Sequence, residues 1–385
     1  MINFLYKTGI AAFVTNFATL KKIDWYILKK FLTTTVFMVM IFSVIAGVID
    51  TSERMDDFVK SEQSAYYILT NYYAGFIPFI ISMIFPLMVF IAVIFFTSKM
   101  AGRSEIVAIL AGGIRFNRML RPYFIGALIF GSIFWIANQY LIPKANTLLA
   151  NFKSKFIDSK SSYEIGQYLN KGSNYYIRLD SNTYAGLRNY DTSSKIAYGG
   201  FFMERLKGTQ LIYNLRADNL KWDTAKKSWK LDNAVERRIN GLNEDVKVIP
   251  QMHIDLNVKP SQIRPDKYFK DKMTTPELRE FIRLEEARGT EGLNDYKVER
   301  FRRDATPFSV ILLSLMGAVV ASRKTRGGSG MHLALGIILA AVFVIMDKFS
   351  LTFATKGNFH PFLAAWMPNI IFLFIGIWLY KKAPK

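Results

Sequence analysis

The most chemically distinctive stretch of the sequence is GRSEIVAILAGGIRFNRMLRP, residues 102–122, which lies between two long apolar runs. It has a single carboxylate, Glu105. Four arginines accompany this acid: Arg103, Arg115, Arg118 and Arg121. Its apolar residues fall on one stripe of a helix: Ile106, Val107, Ile109, Leu110 and Ile114. We expect a short amphipathic helix with Ser104 as its N-cap, Gly112–Gly113 at its end, and the acid near its N-terminus, where the helix dipole favours negative charge.

Two functions fit a helix of this kind. In the first, it lies at the membrane surface with its arginines against lipid headgroups. In the second, it docks a cytoplasmic partner, because Glu105, with Ala three positions and Gly seven positions later, resembles the coupling segment of ABC-transporter permeases. The candidate docking residues are Arg103, Ser104, Glu105, Ile106, Ile109 and Arg115. The pattern alone leaves both functions open.

Charged residues in or beside other apolar runs are further candidates. Asp347 and Lys348 lie near the end of the fifth run. Either they pair near the outer surface while Lys348 reaches water, or Asp347 faces a protein cavity. Four basic residues precede the fourth run: Lys297, Arg300, Arg302 and Arg303. They suit the phosphates of an anionic lipid, although anchoring of a helix end is the simpler explanation.

Other chemistries lack the residues that they need. The sequence has no cysteine and no GxxxxGK[ST] loop, and GGSG at residues 327–330 lacks the context of a phosphate-binding loop. Its three histidines, His253, His332 and His360, share no ligand spacing, so we expect no metal or other cofactor. A lipid-modifying enzyme would need paired acids near the outer surface. The candidates are Asp50, Glu53, Asp56 and Asp57, and no partner base accompanies them. We therefore expect no catalytic residue, and a partner must supply any energy.

Six apolar runs are long enough to cross a bilayer as helices. They are Phe31–Ile49, Ala74–Ser98, Pro122–Pro143, Ala305–Ser322, Met331–Phe353 and Pro361–Tyr380. The net charge is +20, and the basic residues outside residues 144–303 cluster at the ends of these runs. Such clustering indicates membrane topology rather than nucleic-acid binding. The positive-inside rule puts both termini and the loops after the second and fourth runs in the cytoplasm, and residues 143–304 outside.

The outer region is predicted to be mostly β-structure. Segments rich in β-branched and aromatic residues predict strands at Tyr175–Leu179, Ile196–Leu206, Gln210–Arg216 and Val246–Val258, and a polar turn within Lys221–Leu231. Short strands at this spacing favour a sandwich or jellyroll-like domain. A helix follows, with Thr274 and Glu277 as a capping box and Gly289 as its stop. Residues 1–20 are expected to be an interfacial or disordered extension rather than a signal peptide.

The order of these parts defines the domain boundaries that we expect. The first part is an N-terminal extension and interfacial helix at 1–30, followed by spans one to three at 31–143, with a coupling helix at about 102–118. The β domain follows at 144–272, and a helical connector at 273–304. Spans four to six lie at 305–380, and a cytoplasmic tail at 381–385 ends the chain.

The chain resembles the lipopolysaccharide export permease family (LptF/LptG). The similarity is carried by IDWYILKKFL before span one, SEIVAILAGGI after span two, the outer β domain, TPFSVILLSLMGA in span four and FVIMDKF in span five. It covers nearly the whole chain from about Lys22. The order of spans and domain is specific, whereas each motif alone is not.

This resemblance implies a function and a set of partners. It implies a bacterial inner-membrane permease without an ATP site of its own, which works with an LptB-like cytoplasmic ATPase dimer, a second permease and an LptC/LptA-like periplasmic bridge protein. Lipopolysaccharide would enter laterally and pass through the β domain. Glu105 would then be the acid that engages the ATPase, and Asp347 would face the lateral gate.

The exit of span one departs from the family. Some members have lysines there that contact lipid A phosphates, whereas IDTSERMDDFVK, residues 49–60, is acidic and has only Arg54 and Lys60 as basic residues. Either the second permease supplies the phosphate contacts, or a divalent cation bridges carboxylates and phosphates. The alternative function is a non-transporting mechanotransmission protein or sensor whose β domain binds a protein.

Overall fold

The computed structural model describes residues 21–157, 174–191, 194–256, 258, 260–263, 268–290, 292–323, 328–357 and 359–383. The extension expected at residues 1–20, and the first residue of the GGSG segment at residues 327–330, lie outside these ranges. The chain divides into two compact units. One consists of Met1–Met55, Tyr73–Ala145 and Lys297–Lys385, and the other of Asp56–Tyr72 and Asn146–Tyr296.

The described helices are numbered here in chain order. They are α1 Lys22–Glu53, α2 Met55–Lys60, α3 Ala65–Gly102, α4 Glu105–Ala111, α5 Phe116–Ile157, α6 Pro260–Ile263, α7 Phe269–Lys272, α8 Thr275–Arg288, α9 Asn294–Ala321, α10 Gly328–Lys356 and α11 Pro361–Lys381. Six of them are long and apolar enough to cross a membrane: α1, α3, α5, α9, α10 and α11. The prediction of six spans is therefore confirmed.

Most of these spanning helices run well beyond the apolar runs that revealed them. For example, α9 begins at Asn294, so residues 294–304, expected to be a separate connector, form the first turns of the span-four helix. Hydropathy marks only the part of a helix that suits lipid, whereas polar turns at its end continue the same backbone hydrogen bonds. Two long helices also contain unpredicted π-helical stretches: Ile68–Tyr73 in α3, and Ala137–Leu141 and Lys153–Ile157 in α5.

Aromatic side chains fill the core where α1, α3 and α5 meet. The Phe31 ring is fully buried and lies 5.9 Å from the Phe96 ring and 5.6 Å from the Phe130 ring. The Tyr123 ring stacks on Phe96 at 5.5 Å, and its hydroxyl lies 3.0 Å from that of Thr97. These contacts fix α1 against the two helices that flank α4 in sequence.

We expect Gly126→Ala to lower the free energy of unfolding by about 2 kcal/mol, because overpacking a filled core is costly. A Cβ at Gly126 would lie 2.3 Å from Cδ1 of the buried Phe31 ring. The control is Gly47→Ala in α1, where a Cβ would lie 3.9 Å from Cδ1 of Ile77. Unfolding in detergent measures both variants. The packing argument fails if Gly126→Ala unfolds no more easily than Gly47→Ala.

Between spans three and four the chain forms the predicted β domain. The strands are β1 Asn174–Arg178, β2 Thr183–Arg188, β3 Tyr190–Asp191, β4 Ile196–Lys207, β5 Gln210–Asp223, β6 Ser228–Asn240 and β7 Asn243–Ile254. The prediction of an all-β, jellyroll-like domain is confirmed as an antiparallel sheet with the order β1-β2-β4-β5-β6-β7, in which β3 pairs with β4. The predicted turn within residues 221–231 separates β5 from β6.

The core of the β domain lies on one face of this sheet. Its centre is Trp229, which is fully buried and donates its indole N–H to the Val258 carbonyl at 2.8 Å. The Tyr190 ring lies 6.4 Å from Trp229, and burial raises the pKa of its phenol to about 12. Side chains from β4, β5 and β6 complete the core: Phe201, Met203, Leu215, Ala217, Leu220, Leu231 and Ala234. The period-2 pattern of the sequence reports this half-buried sheet.

The predicted capping signals of α8 are confirmed. A Glu277 carboxylate oxygen accepts hydrogen bonds from the Thr274 N–H at 2.8 Å and from the Thr274 hydroxyl at 2.7 Å. Gly289 ends the helix with φ of 71°, a left-handed conformation that favours glycine. The polar sequence signals therefore mark both ends of this helix.

Candidate functional site

The segment around Glu105 forms a short helix, as predicted, but it begins differently. Ser104 occupies the N-cap position, as predicted, but it has φ of 60° and its side chain makes no capping hydrogen bond. The turn from α3 explains this, because the Ser104 N–H donates to the Ala101 carbonyl at 3.0 Å and holds the residue left-handed. A capping serine needs extended backbone angles. At the other end, Gly112 stops the helix and Gly113 follows with φ of 81°.

The two faces of α4 differ in exposure. Ile106 is 1% exposed and packs in the core with residues of α3 and α5, including Met100 and Met119. Ile109 is half-buried against the same core. Val107 is 51% exposed. Of the predicted docking residues, Ile106 thus anchors the helix, whereas Arg103 and Arg115 are exposed at its two ends.

The Glu105 carboxylate is bound by two side chains of α1 that the sequence did not single out. Its Oε2 accepts a hydrogen bond from the Tyr26 hydroxyl at 2.9 Å and an ion-paired one from Lys30 Nζ at 3.2 Å. Lys30 also contacts the Tyr26 hydroxyl, and its Nζ lies 4.1 Å from the centre of the Tyr26 ring. About a quarter of the Glu105 side chain stays exposed, so the acid is both held and reachable. A possible signal was the four-residue spacing of Tyr26 and Lys30, which puts both on one helix face.

An ion pair between the buried Asp24 and the part-exposed Arg118 fixes the start of α1 against α5. Both Asp24 carboxylate oxygens accept hydrogen bonds from the Arg118 guanidinium, at 2.6 Å and 2.5 Å. Oδ2 also accepts the Lys21 backbone N–H at 2.9 Å, which satisfies a free donor at the helix N-terminus. Asp24 is 4% exposed. Hydropathy cannot reveal this pair, because its members are 94 residues apart in sequence.

The four basic residues before span four lie on α9. Glu299, which the sequence analysis did not single out, accepts a hydrogen bond from Arg302 at 3.2 Å and from Arg303 at 3.0 Å, and Arg303 is 5% exposed. The Arg300 guanidinium lies 5.0 Å from the Phe301 ring. These contacts stabilise one helix locally. Lys297 is the first residue of α9 that belongs to the compact unit containing the six spans.

The other predicted charges lie in three places. On α10, Asp347 is half-buried, with Arg302, Lys348 and Glu299 as charged neighbours, and Lys348 is exposed. At the end of α1, Arg54 Nε donates to the buried Asp50 at 3.1 Å. Lys60 ends α2 in the other compact unit. The structure therefore brings Asp347 near Arg302, whereas Arg54 is paired with Asp50 at the end of α1.

The described histidines have separate surroundings. His253 lies 3.3 Å from the Ser228 hydroxyl, His332 lies 2.6 Å from the Arg323 carbonyl, and His360 precedes the first residue of α11. Within the described ranges, no group of three or more His, Asp or Glu side chains is arranged to hold a metal ion.

The arrangement of spans, inserted β domain and surface helix defines a class of multi-pass membrane protein. Comparison with known proteins gives the family: residues 25–382 match the family model for lipopolysaccharide export system permease LptF/LptG. The chain belongs to this family, and with its six apolar helices it is a multi-pass protein of the inner membrane. It is 18% identical over 368 residues to lipopolysaccharide export system permease protein LptG of Escherichia coli K12, covering 94% of this chain and 98% of that protein. The values are the same for LptG of Escherichia coli O6:H1.

Proposed function

We propose that this chain is one permease of an ABC exporter that extracts lipopolysaccharide from the inner membrane and passes it through its β domain toward the outer membrane. A separate cytoplasmic ATPase dimer supplies the energy, a second permease completes the membrane part, and a periplasmic bridge protein receives the lipid. Both termini and α4 lie in the cytoplasm, and the β domain lies in the periplasm. The observation that carries this proposal is the family match, because it runs through both compact units.

The surface around α4 supports docking of the ATPase. This surface offers an acid that is about a quarter exposed, Glu105, an exposed apolar side chain, Val107, and two exposed cations, Arg103 and Arg115. Ile106 and the contacts of Glu105 with Tyr26 and Lys30 hold this surface rigidly. A rigid docking helix transmits a partner's movement to the spans that it contacts, here α1.

The exposed apolar side of α1 supports lateral entry of lipid beside a second permease. Only 6% of its most apolar stretch is buried, compared with 72% for α9. Its exposed side chains include Val36, Phe37, Met40, Val44 and Val48. A helix this exposed needs lipid or another protein against it. We propose that this face lines the lateral gate.

Charged residues near the outer ends of the spans would receive the headgroup. Lys348 is exposed and would contact phosphate oxygens, and Arg302, which is paired with Glu299 and part-exposed, lies on the same helix as Arg300 and Lys297. Asp347 has Arg302 and Lys348 as charged neighbours. Arg54 is tied to Asp50, so Lys60 or the second permease supplies contacts at the exit of span one.

A photocrosslinker in β7 tests passage of lipid through the β domain. Ile249 packs against the core and Val248 is 72% exposed, because neighbouring strand residues point to opposite faces. In cells that export lipopolysaccharide, we expect a crosslinker at position 249 to capture lipopolysaccharide, and one at position 248 to capture much less. Gel mobility and an antibody against the lipid give the readout.

Two outcomes of this experiment contradict the proposal. Equal capture at both positions would indicate non-specific contact with lipid. Capture of protein alone at position 249 would favour the alternative function, a mechanotransmission protein or sensor whose β domain binds a protein partner.

A further inference from the structure

A basic cleft lies where the first turn of α1 meets the segment that joins α4 to α5. Its volume is about 420 Å³, within the range of sites for small ligands. Four cations line it, namely Lys21, Arg115, Arg118 and Arg121, together with one acid, Asp24. All residues that line the cleft belong to one compact unit, the one that contains the six spans.

The charges of this cleft are not balanced. Asp24 neutralises Arg118 through the bidentate pair described above. Within the described ranges no carboxylate forms an ion pair with Lys21, Arg115 or Arg121, and all three side chains are exposed. Three like charges around one cleft repel one another, and an anion between them removes that repulsion. The cleft therefore favours a ligand with at least one negative charge.

The remaining lining is apolar, which indicates an amphiphilic ligand. Ile23, Ile109, Ile114 and Met119 line the same cleft. Ile23 is 39% exposed, and the next residues of α1 are the exposed aromatics Trp25 and Tyr26, at 58% and 45%. Such aromatic residues typically lie at the level of lipid headgroups. Phe31, where the apolar run of α1 begins, lies eight residues after Ile23, which is about 12 Å along a helix that rises 1.5 Å per residue.

We propose that this cleft binds the headgroup of an anionic phospholipid from the leaflet that adjoins the first turn of α1. The forked guanidinium groups of Arg115 and Arg121 and the ammonium of Lys21 bind the phosphate, and Ile23 and Ile114 contact the glycerol and the start of the acyl chains. The proposal is independent of the transport function, because such binding needs neither ATPase nor lipopolysaccharide.

Thermal unfolding of the delipidated full-length chain in detergent tests the proposal. A ligand that binds the folded state raises the unfolding midpoint. We expect phosphatidylglycerol in mixed micelles to raise the midpoint, and phosphatidylcholine to leave it unchanged. Arg115→Gln combined with Arg121→Gln should weaken the apparent affinity for phosphatidylglycerol by about tenfold or more, because each substitution removes a charge-assisted hydrogen bond. The matched control is Lys99→Gln, an exposed cation at the end of α3 that does not line the cleft.

Each other outcome overturns the proposal in a recognisable way. An equal response to phosphatidylcholine shows that detergent exchange, not charge, stabilises the protein. An equal loss in Lys99→Gln shows general attraction of basic residues to anionic micelles. Full competition by inorganic phosphate identifies a small-anion site. Should the double variant fold poorly, the single variants Arg115→Gln and Arg121→Gln are compared by native mass spectrometry, which counts the bound phosphatidylglycerol directly, and unchanged counts in both reject the site.

Discussion

Glu105→Arg is expected to abolish co-purification of the cytoplasmic ATPase and to reduce ATP-driven extraction of lipopolysaccharide at least about tenfold, because reversing a charge at a docking surface removes one attraction and adds a repulsion. The effect on folding should be much smaller. The ion pair with Lys30 is partly exposed on both sides, at 26% and 30%, and pairs of this kind contribute about 1 kcal/mol or less. The loss of coupling therefore greatly exceeds the loss of stability.

The exchange variant Glu105→Lys with Lys30→Glu separates the two roles of the acid. It restores an ion pair between α1 and α4, so the unfolding midpoint should return toward that of the wild type. Coupling should stay lost, because the cation now faces the ATPase. If the exchange restores transport as well, Glu105 acts only through Lys30, and direct contact with the ATPase is ruled out.

A matched control for this experiment lies in the β domain. Glu244 is 45% exposed and pairs with Arg237 at 3.5 Å. Glu244→Arg reverses a comparable surface charge far along the chain from α4. We expect it to leave ATPase co-purification unchanged, and a similar loss in this variant would indicate a general effect of charge on assembly.

The sequence predicted those parts of the structure that have a local signature. A span needs about 20 apolar residues, and a half-buried strand alternates, so the six spans and segments of β1, β4, β5 and β7 were found. Thr274, Glu277 and Gly289 marked the ends of α8, since capping depends on neighbours in sequence. Strand β2 was missed because it contains Ala185 and Gly186, residues with low strand propensity.

The structure shows why β2 needs its glycine. Gly186 pairs with Phe202 across β2 and β4, and a Cβ there would lie 2.3 Å from the Phe202 ring. The ring covers the glycine, so a weak strand former stays in the sheet. Here a contact between strands decides the local residue, which no single stretch of sequence reveals.

The same limit applies to the candidate docking site. The sequence identified Glu105 and its arginines, but not Tyr26, Lys30 or Asp24, because these act through contacts 75 to 94 positions away. It placed the N-cap at Ser104 but also predicted a side-chain capping bond, which is absent because the turn from α3 holds Ser104 in a left-handed conformation. The sequence thus identified the exposed residues of the candidate site and missed the side chains of α1 that contact them.

Asp24→Ala is expected to lower the free energy of unfolding by about 2 kcal/mol, because Arg118, whose side chain is 25% exposed, and the Lys21 N–H both lose their charged acceptor. The carboxylate is 4% exposed and makes three hydrogen bonds, two to Arg118 and one to the Lys21 N–H. Its loss also frees the first turn of α1 from α5. Unfolding by denaturant in detergent measures the change.

A double-mutant cycle assigns this loss to the pair. Asp24→Ala and Arg118→Ala should each be costly, and the double variant should cost clearly less than their sum, because the second substitution removes the charge that the first left unpaired. The reference for an exposed pair is Lys247→Ala, whose partner Asp245 lies 3.4 Å away with both side chains about 60% exposed. It should cost less than about 1 kcal/mol. Additive losses at Asp24 and Arg118, or a cost for Asp24→Ala as small as that for Lys247→Ala, would mean that the start of α1 is held by its apolar contacts alone.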